Sequence, residues 1–320
     1  NFFLYGKYYN LPLAIPDFLN FPIPTAISFL KAILRRKEKH ADFQSDMTSI
    51  MGERMYQDYF GPFIEKKLGM SGDKLHTDWW RRLKRTYRND ILEHNLDIET
   101  DDHGSLSLMK KLMLVFHNIS KIVLRPKDRV LYPKKGIHEI SQRLWELYSQ
   151  QGGETLFNTE AIGLRKSNSS ITSVITLDKD GHEHDIPVKN LIWTGSVRQL
   201  CNLLTIDAKL DYVSCALVFV ILKRKLSKRI KALYTYYVQT DIIFNRLYYP
   251  SYLCKQLTPE GRDALCAEIT LKKDWECLGE NTIIERVRSD LEKLGLIRQG
   301  DVEAMEYVEI RDAYPVYPVD

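Results

Sequence analysis

One arginine stands in a strongly aromatic stretch, beside Phe244 and two tyrosines. This residue, Arg246, offers a planar guanidinium fork that can hold a carboxylate or a phosphate group. Two tyrosines, Tyr314 and Tyr317, flank a proline further along, and a tyrosine can line a pocket with its polar tip. Arg246 is therefore a candidate for an anionic group of a ligand, with a solvated sheet-edge arginine as the alternative. The two tyrosines are candidates for a pocket wall, with plain packing as the alternative.

A turn glycine at the start of a predicted helix is the next candidate. Gly136 ends the stretch 132–136 (YPKKG), and a glycine there can expose backbone N–H groups to a ring or phosphate oxygen. A plain helix-entry turn is the alternative. Lys66 could place a cation near a ligand, although a lysine next to Glu65 and a second lysine on a helix is usually solvated.

Several kinds of site lack support in the sequence. No two glycines are separated by a single residue, so the chain contains no GxGxxG fingerprint, and it contains no P-loop. No serine has the GxSxG context of a hydrolase nucleophile. His182 and His184 have a spacing that could bind a metal, but they fall in a predicted hairpin turn without further ligands nearby, which predicts a surface turn.

The composition is that of an ordinary globular protein. With 320 residues, of which 44% are hydrophobic and 28% charged, the chain is long enough for two lobes. No apolar run reaches the roughly 18 residues that a membrane span needs. Five cysteines without a CxxC pair favour reduced thiols and a cytoplasmic protein over a disulfide framework.

Two basic stretches, 31–39 and 81–88, bear on the partners of the protein. The net charge is only +4, acidic residues are plentiful elsewhere and no nucleic-acid module is recognisable, so we expect no nucleic-acid partner. Residues 18–36 combine apolar bulk with a cationic end, which favours a peripheral contact with a membrane surface. The sequence does not predict an oligomeric state.

The elements that must position these residues change in kind along the chain. A proline-rich start predicts a short strand and turns, and the signal is then helical to about residue 127, most clearly over 107–124. A helix over 137–147 is predicted to end at Gly152-Gly153. The short strands predicted after this helix are 155–158, 162–165, 171–177 and 190–194, with polar turns between them.

The last third of the chain is predicted to consist mainly of long strands. These are 213–222, 234–239 and 267–271. A helix follows, which we predict to begin with a capping box of Thr282 and Glu285 and to end at Gly295. No linker or repeat separates the parts, so a mixed α/β fold with two lobes interleaved in sequence is expected.

Blocks spread along the chain resemble, in order, those of one protein family. The blocks are 51–69, 78–82, 132–136, 153–164, 191–195, 244–247 and 313–317. Together they resemble the flavin-containing amine oxidoreductase superfamily, in particular its protoporphyrinogen-oxidase-like and UDP-galactopyranose-mutase-like branch. Two blocks depart from the family pattern, because Lys135 stands in place of a glycine and Lys67-Leu68 in place of an apolar-aromatic pair.

The resemblance implies a fold, a cofactor and a domain plan. The fold would be an FAD-binding domain of the glutathione-reductase type, interleaved with a substrate domain of helices plus an antiparallel sheet. Residues 1–127 would form the helical part of the substrate domain, 128–204 a segment of the FAD-binding domain, and 205–320 the sheet part, which returns towards the FAD domain at its end. The strand-GxGxxG-helix unit of the family would precede Asn1, so we expect a central fragment.

The resemblance also assigns roles to single residues. Contacts to FAD are implied for Gly136, Ala161 and Thr194. Arg246 matches an arginine that the mutase branch associates with the substrate diphosphate. Lys66, Tyr314 and Tyr317 remain candidates for contacts to a small-molecule substrate on their residue types. Ala161 and Thr194 could equally be core strand positions. The leading hypothesis is an FAD-dependent oxidoreductase that moves a hydride equivalent from an organic substrate to flavin. A redox-neutral UDP-sugar mutase and a non-catalytic scaffold, the latter motivated by Lys135, are the alternatives. No catalytic residue is predicted.

Overall fold

The structure is a computed structural model in two compact units. It describes residues 1–9, 20–33, 40–81, 131–226, 232–272 and 278–319. Unit 1 comprises Asn1–Lys134 and Tyr212–Asp320, and unit 2 comprises Lys135–Asp211. The helix predicted over 107–124, Cys277 and most of both basic stretches lie outside the described residues.

Helices and strands follow one another in short runs along the described chain. The helices are α1 (Ile23–Ile33), α2 (Phe43–Met51), α3 (Glu53–Met55), α4 (Gly61–Leu68), α5 (His138–Gln150), α6 (Val197–Leu203), α7 (Pro250–Leu253) and α8 (Glu280–Lys293). The strands are β1 (Phe2–Leu4), β2 (Lys7–Tyr9), β3 (Glu160–Ser167), β4 (Ser170–Leu177), β5 (Glu183–Pro187), β6 (Asp211–Leu222), β7 (Tyr234–Tyr237), β8 (Arg246–Tyr248), β9 (Asp263–Leu271) and β10 (Val302–Val316). A π-helical turn over Tyr56–Phe60 joins α3 to α4, and a 3₁₀ turn over Lys255–Leu257 follows α7.

Unit 1 contains a large, mostly antiparallel sheet. Its strand order is β10-β6-β9-β8-β7-β1-β2. Antiparallel pairing joins β6 to β9, β9 to β8 and β8 to β7, and β1 then pairs with β7 in parallel. The strands predicted at 213–222 and 267–271 lie within β6 and β9. The strand predicted at 234–239 ends two residues earlier, at Tyr237.

Helix α8 covers one face of this sheet. Its buried residues Ile283, Val287 and Leu291 belong to the same core cluster as the inward residues of β6, β8 and β9. The predicted capping box was wrong, because the helix begins earlier, with Gly279 as N-cap and no side-chain cap. The predicted end is confirmed, since Gly295 follows the last turn with a φ of 67°.

A second core cluster holds α2, α3 and α4 in place. Phe43 lies 6.5 Å from Phe60 and 6.4 Å from Trp79 between ring centroids, and Tyr59 lies 4.9 Å from Phe60. The backbone carbonyl of Lys67 on α4 accepts a hydrogen bond of 3.0 Å from the hydroxyl of Thr270 on β9. This aromatic packing therefore sets where the end of α4 meets the sheet.

Unit 2 combines helix α5 with an antiparallel sheet of order β3-β4-β5. The predicted helix, its end at Gly152 and the antiparallel excursion are confirmed. The strands predicted at 155–158 and 190–194 were wrong: both segments are irregular, and Ile192 is 88% exposed. Their apolar composition favours strands, but no described strand pairs with either segment. Strand β5 is polar and was missed; it forms because β4 supplies its hydrogen-bonding partner.

Two general expectations can be compared with the described residues. Cys201, Cys215, Cys254 and Cys266 are free thiols. No helix in the described ranges is long and apolar enough to cross a lipid bilayer.

Candidate functional site

A row of three polar side chains crosses the face of the unit 1 sheet that α8 does not cover. The register places Tyr236 of β7 opposite Arg246 of β8, and Arg246 opposite Glu268 of β9. Side chains alternate along a strand. Leu247, the next residue of β8 after Arg246, therefore points into the core that α8 covers. The strand pairing alone thus brings these three residues together.

An ion pair fixes the arginine at the centre of this row. Glu268 Oε2 accepts a hydrogen bond of 3.0 Å from Arg246 Nε and a second hydrogen bond from Nη2. Arg246 Nη1 donates to the hydroxyl of Tyr236 at 3.3 Å, and the guanidinium carbon lies 4.7 Å from the ring centroid of Tyr248. The side chain of Glu268 is 2% exposed and that of Arg246 16%. The side chain of Arg246 is therefore the more accessible of the two.

A lysine and two tyrosines complete the coordination of the same carboxylate. Glu268 Oε1 accepts from Lys67 Nζ at 3.3 Å and from the Tyr314 hydroxyl at 2.8 Å. Glu268 Oε2 also accepts from the Tyr248 hydroxyl at 2.9 Å. We call the six side chains the Glu268 cluster; its members are Lys67, Tyr236, Arg246, Tyr248, Glu268 and Tyr314. Strands β7, β8 and β9, helix α4 and the end of β10 thus contribute side chains to one cluster around a buried carboxylate.

The charges of the cluster set its protonation. Burial alone would raise the pKa of Glu268, but Lys67 and Arg246 outweigh burial and lower it to about 2. Burial lowers the pKa of Lys67, and Glu268 partly offsets this effect. Burial and the neighbouring Glu268 raise the pKa of Tyr248 and of Tyr314, so both remain neutral hydroxyl donors. With Lys67 protonated, the cluster carries one net positive charge, which would attract an anionic ligand group.

The structure joins two of the four predicted substrate residues. Arg246 Nη2 donates to the Tyr314 hydroxyl at 3.1 Å. Tyr317 packs instead against the aromatic core cluster, and its backbone carbonyl accepts from His76 N at 2.7 Å. The expectation of a solvated face around Lys66 was wrong, because Lys66 is buried. Its ammonium donates to the backbone carbonyls of Tyr237 at 2.9 Å and Gln239 at 2.8 Å.

The burial of Lys66 predicts a pH dependence of stability. Burial lowers its pKa in the folded protein to about 7, against 10.5 for an ordinary lysine. Between these values the unfolded chain binds one proton more, so the free energy of unfolding rises as the pH increases from 7 to 10.5. We expect Lys66→Met to remove a slope of up to about 1.4 kcal/mol per pH unit, measured by urea unfolding across this window.

An exposed lysine provides the matched control for this prediction. Lys255 lies exposed in the short turn after α7, so Lys255→Met should keep the wild-type slope. The prediction for Lys66 fails if Lys66→Met and the wild type have equal slopes.

The predicted flavin residues lie on three segments of unit 2. Gly136 is buried with a φ of 97°, a conformation that glycine adopts readily, and it precedes α5, whose first turn has no side-chain cap. Ala161 is half-buried on β3, and Thr194 is exposed in an irregular segment. No hydrogen bond joins these three residues in the described part of the chain. Their roles remain predictions.

The two histidines of the HxH pattern lie in and beside a turn. His184 Nε2 is 2.8 Å from Asp178 Oδ2, and His182 Nδ1 is 3.6 Å from the same oxygen. Both histidines are exposed. Among the described residues, no group of three or more His, Cys, Asp or Glu side chains is placed to hold a metal ion.

Solved structures share this architecture. A structure of reduced UDP-galactopyranose mutase matches 93% of the chain with a TM-score of 0.65 and 16% identity. A protein from Exiguobacterium sp. 255-15 that is assigned as a protoporphyrinogen oxidase matches 93% with a TM-score of 0.65 and 15% identity. An oxidoreductase from Methanosarcina mazei matches 96% with a TM-score of 0.53 and 11% identity. The chain has the fold of these proteins.

The fold likeness covers only part of each neighbour. The chain spans 62% of the mutase, 62% of the Exiguobacterium protein and 65% of the Methanosarcina protein. No protein-family model matches the chain, and no curated protein sequence matches it. The likeness therefore concerns the fold, which is a mixed α/β architecture with a large, mostly antiparallel sheet. The interleaving of the predicted domains remains a prediction.

Sequence reasoning missed four members of the Glu268 cluster. Glu268 interrupts the apolar strand β9, and a carboxylate in such a strand needs a partner when it is buried. That interruption was the available signal. Lys67 was noticed only as a departure from a family pattern, and Tyr236 and Tyr248 carry no signal beyond their aromatic surroundings.

Proposed function

We propose that this chain is part of an FAD-dependent oxidoreductase that takes a hydride equivalent from an organic substrate. The observation that carries the proposal is the fold likeness over 93% of the chain to a protoporphyrinogen oxidase-like protein and a mutase. The ordered sequence blocks independently resemble the same two branches. When bound, a flavin would supply the redox chemistry, and the protein would supply binding and orientation.

Unit 2 has features that fit a flavin nucleotide. The left-handed backbone at Gly136 and the first turn of α5, which has no side-chain cap, leave backbone N–H groups available to an anionic oxygen. The small side chain of Ala161 would permit close approach to its backbone. The side chain of Lys135 is exposed, and its own backbone N–H is bound to Glu139 Oε2 at 3.3 Å and is not one of these donors. Gly136, Ala161 and Thr194 are the residues that we propose to contact FAD.

In unit 1, the sheet face with the Glu268 cluster is the proposed substrate surface. Arg246 would bind an anionic substrate group, because its side chain is partly exposed and the cluster has one surplus positive charge when Lys67 is protonated. Glu268 holds Arg246 in place through two hydrogen bonds. Tyr314 donates to the same carboxylate, so the arginine and the tyrosine present a single fixed surface.

The test is a visible absorption spectrum of the intact protein before and after addition of a reductant. We expect a flavin band that the reductant bleaches. Thr194→Glu should weaken flavin binding about tenfold, because it places a carboxylate near an anionic cofactor at an exposed position that folding tolerates. Thr282→Glu, at an exposed position of α8 in unit 1, is the matched control and should retain the flavin.

A sugar-nucleotide mutase is the second candidate. It is favoured by the contact between Arg246 and Tyr314, which suits a substrate phosphate, and by the fold of the mutase neighbour. Turnover of a UDP-sugar that Arg246→Ala abolishes would select this candidate, whereas failure to bind any nucleotide sugar would remove it. A folded intact protein that takes up no FAD would disprove both candidates and favour a non-catalytic scaffold.

A further inference from the structure

Helix α1 in unit 1 turns an apolar stripe towards water. Ile23 is 76% exposed, and Ile27 and Leu30 are each 47% exposed. Their spacing of four and three residues places them on one side of the helix. A surface helix of a globular protein normally presents polar side chains on this side. We call these three residues the α1 stripe.

The two hydroxyl side chains of α1 are hydrogen-bonded to the rest of the protein. Thr25 is fully buried, and its hydroxyl donates to Asp58 Oδ2 at 3.4 Å. The Ser28 hydroxyl accepts a hydrogen bond of 3.1 Å from the backbone N–H of Arg54. The orientation of α1 is therefore fixed by specific contacts, and the exposure of the α1 stripe is a consequence of them.

An open groove runs beside the α1 stripe. It has a volume of about 540 Å³ and is lined mainly by apolar atoms of α1 and by the α2–α3 junction, including Ile23, Pro24, Ile27 and Ala32. The Thr48 hydroxyl that borders it is buried without a hydrogen-bond partner. Lys31 and Glu53 are the charged residues of its lining. The stripe and groove thus form one continuous, largely apolar surface.

The charges of α1 and of the sequence that follows it indicate the partner of this surface. Lys31, in the last turn of α1, is the single charged residue of that helix. The sequence then continues with Arg35, Arg36 and Lys37. Exposed aliphatic side chains followed by cations suit the boundary of an anionic bilayer, where apolar groups enter the acyl region and cations remain at the headgroups.

We propose that the α1 stripe docks this protein on an anionic lipid surface. The docking is peripheral: α1 would lie in the plane of the interface, with Ile23, Ile27 and Leu30 below the headgroups and Lys31 among them. The proposal is independent of the flavin, since it depends only on α1 and the residues that orient it.

Vesicle co-sedimentation of the full chain tests this docking. Vesicles of phosphatidylcholine with phosphatidylglycerol should bind the protein, and vesicles of phosphatidylcholine alone should bind it weakly. We expect Ile27→Ser to weaken binding about tenfold through lost apolar burial. Lys31→Ser should weaken binding about fivefold, and only on the anionic vesicles.

Matched controls distinguish docking through α1 from nonspecific binding to vesicles. Ile310 on β10 is 40% exposed and Lys255 is exposed, so Ile310→Ser and Lys255→Ser should bind like the wild type. Equal unfolding midpoints would show that the variants are folded. The proposal would be overturned if the wild-type protein bound neither kind of vesicle, or if the α1 variants and the control variants all bound equally. A wild-type dimer that Ile27→Ser dissociates, without vesicle binding, would overturn it in favour of a second copy of the chain.

Discussion

Glu268→Gln is expected to lower the free energy of unfolding by about 3–5 kcal/mol, because it leaves Lys67 and Arg246 buried without their common counter-ion. The amide also directs its two N–H groups towards donors, since Glu268 Oε1 and Oε2 accept from Lys67, Arg246 and the hydroxyls of Tyr248 and Tyr314. Urea unfolding measures the loss directly.

A second substitution shows whether charge causes this loss. Lys67→Met removes one of two cations and leaves the Arg246–Glu268 pair intact, so we expect a much smaller effect. In the double variant, the cost of Glu268→Gln should fall by about 1–3 kcal/mol. Glu303→Gln is the control, because the Glu303–Arg262 pair is 36% and 43% exposed and should contribute at most about 1 kcal/mol. Strict additivity of the two cluster substitutions would contradict the charge explanation.

The same carboxylate predicts the acid side of the stability profile. The pKa of Glu268 is about 2 when folded and 4.5 ordinarily, so below 4.5 the unfolded chain binds a proton that the folded protein does not. The stabilisation is complete above pH 4.5 and is lost as the pH falls towards 2, at up to about 1.4 kcal/mol per unit. Glu268→Gln should lack this component of acid sensitivity.

Gly52→Ala is the second substitution with a large expected effect, a loss of about 2–5 kcal/mol. Gly52 joins α2 to α3 with a φ of 86° and a ψ of 153°, a backbone conformation that residues other than glycine rarely adopt. An added Cβ would also lie 2.6 Å from the Ser28 carbonyl oxygen. Because that oxygen belongs to the backbone of α1, the helix would have to move.

Another glycine with a positive φ, but without a steric clash, gives a comparison. Gly69 ends α4 with a φ of 69°, and an added Cβ there would meet open space. Gly69→Ala should therefore cost only the conformational component, about 1–2 kcal/mol. Urea unfolding of both variants compares them. If Gly52→Ala lowered the free energy of unfolding no more than Gly69→Ala, α1 would be able to move aside without a loss of stability.

Much of the architecture could be predicted from local pattern. The long apolar runs of β6 and β9, the one-sided apolar face of α8 and the glycine that ends it are local features, and the structure agrees with each. The strand predictions for 155–158 and 190–194 were wrong because a strand needs a neighbouring strand, and composition does not say whether one is present. The opposite error occurred at β5: it was not predicted, because its composition is polar, but pairing with β4 makes it a strand.

For the candidate site, the sequence alone singled out Arg246 for an anionic ligand group and Tyr314 for a pocket wall. Only the tertiary structure decided that they touch, that Glu268 lies between them and Lys67, and that Lys66 is buried. The physical reason is distance along the chain: Lys67 and Glu268 are separated by 201 residues. Their pairing depends on which strands are neighbours and on how α4 meets β9, and no local periodicity contains that information.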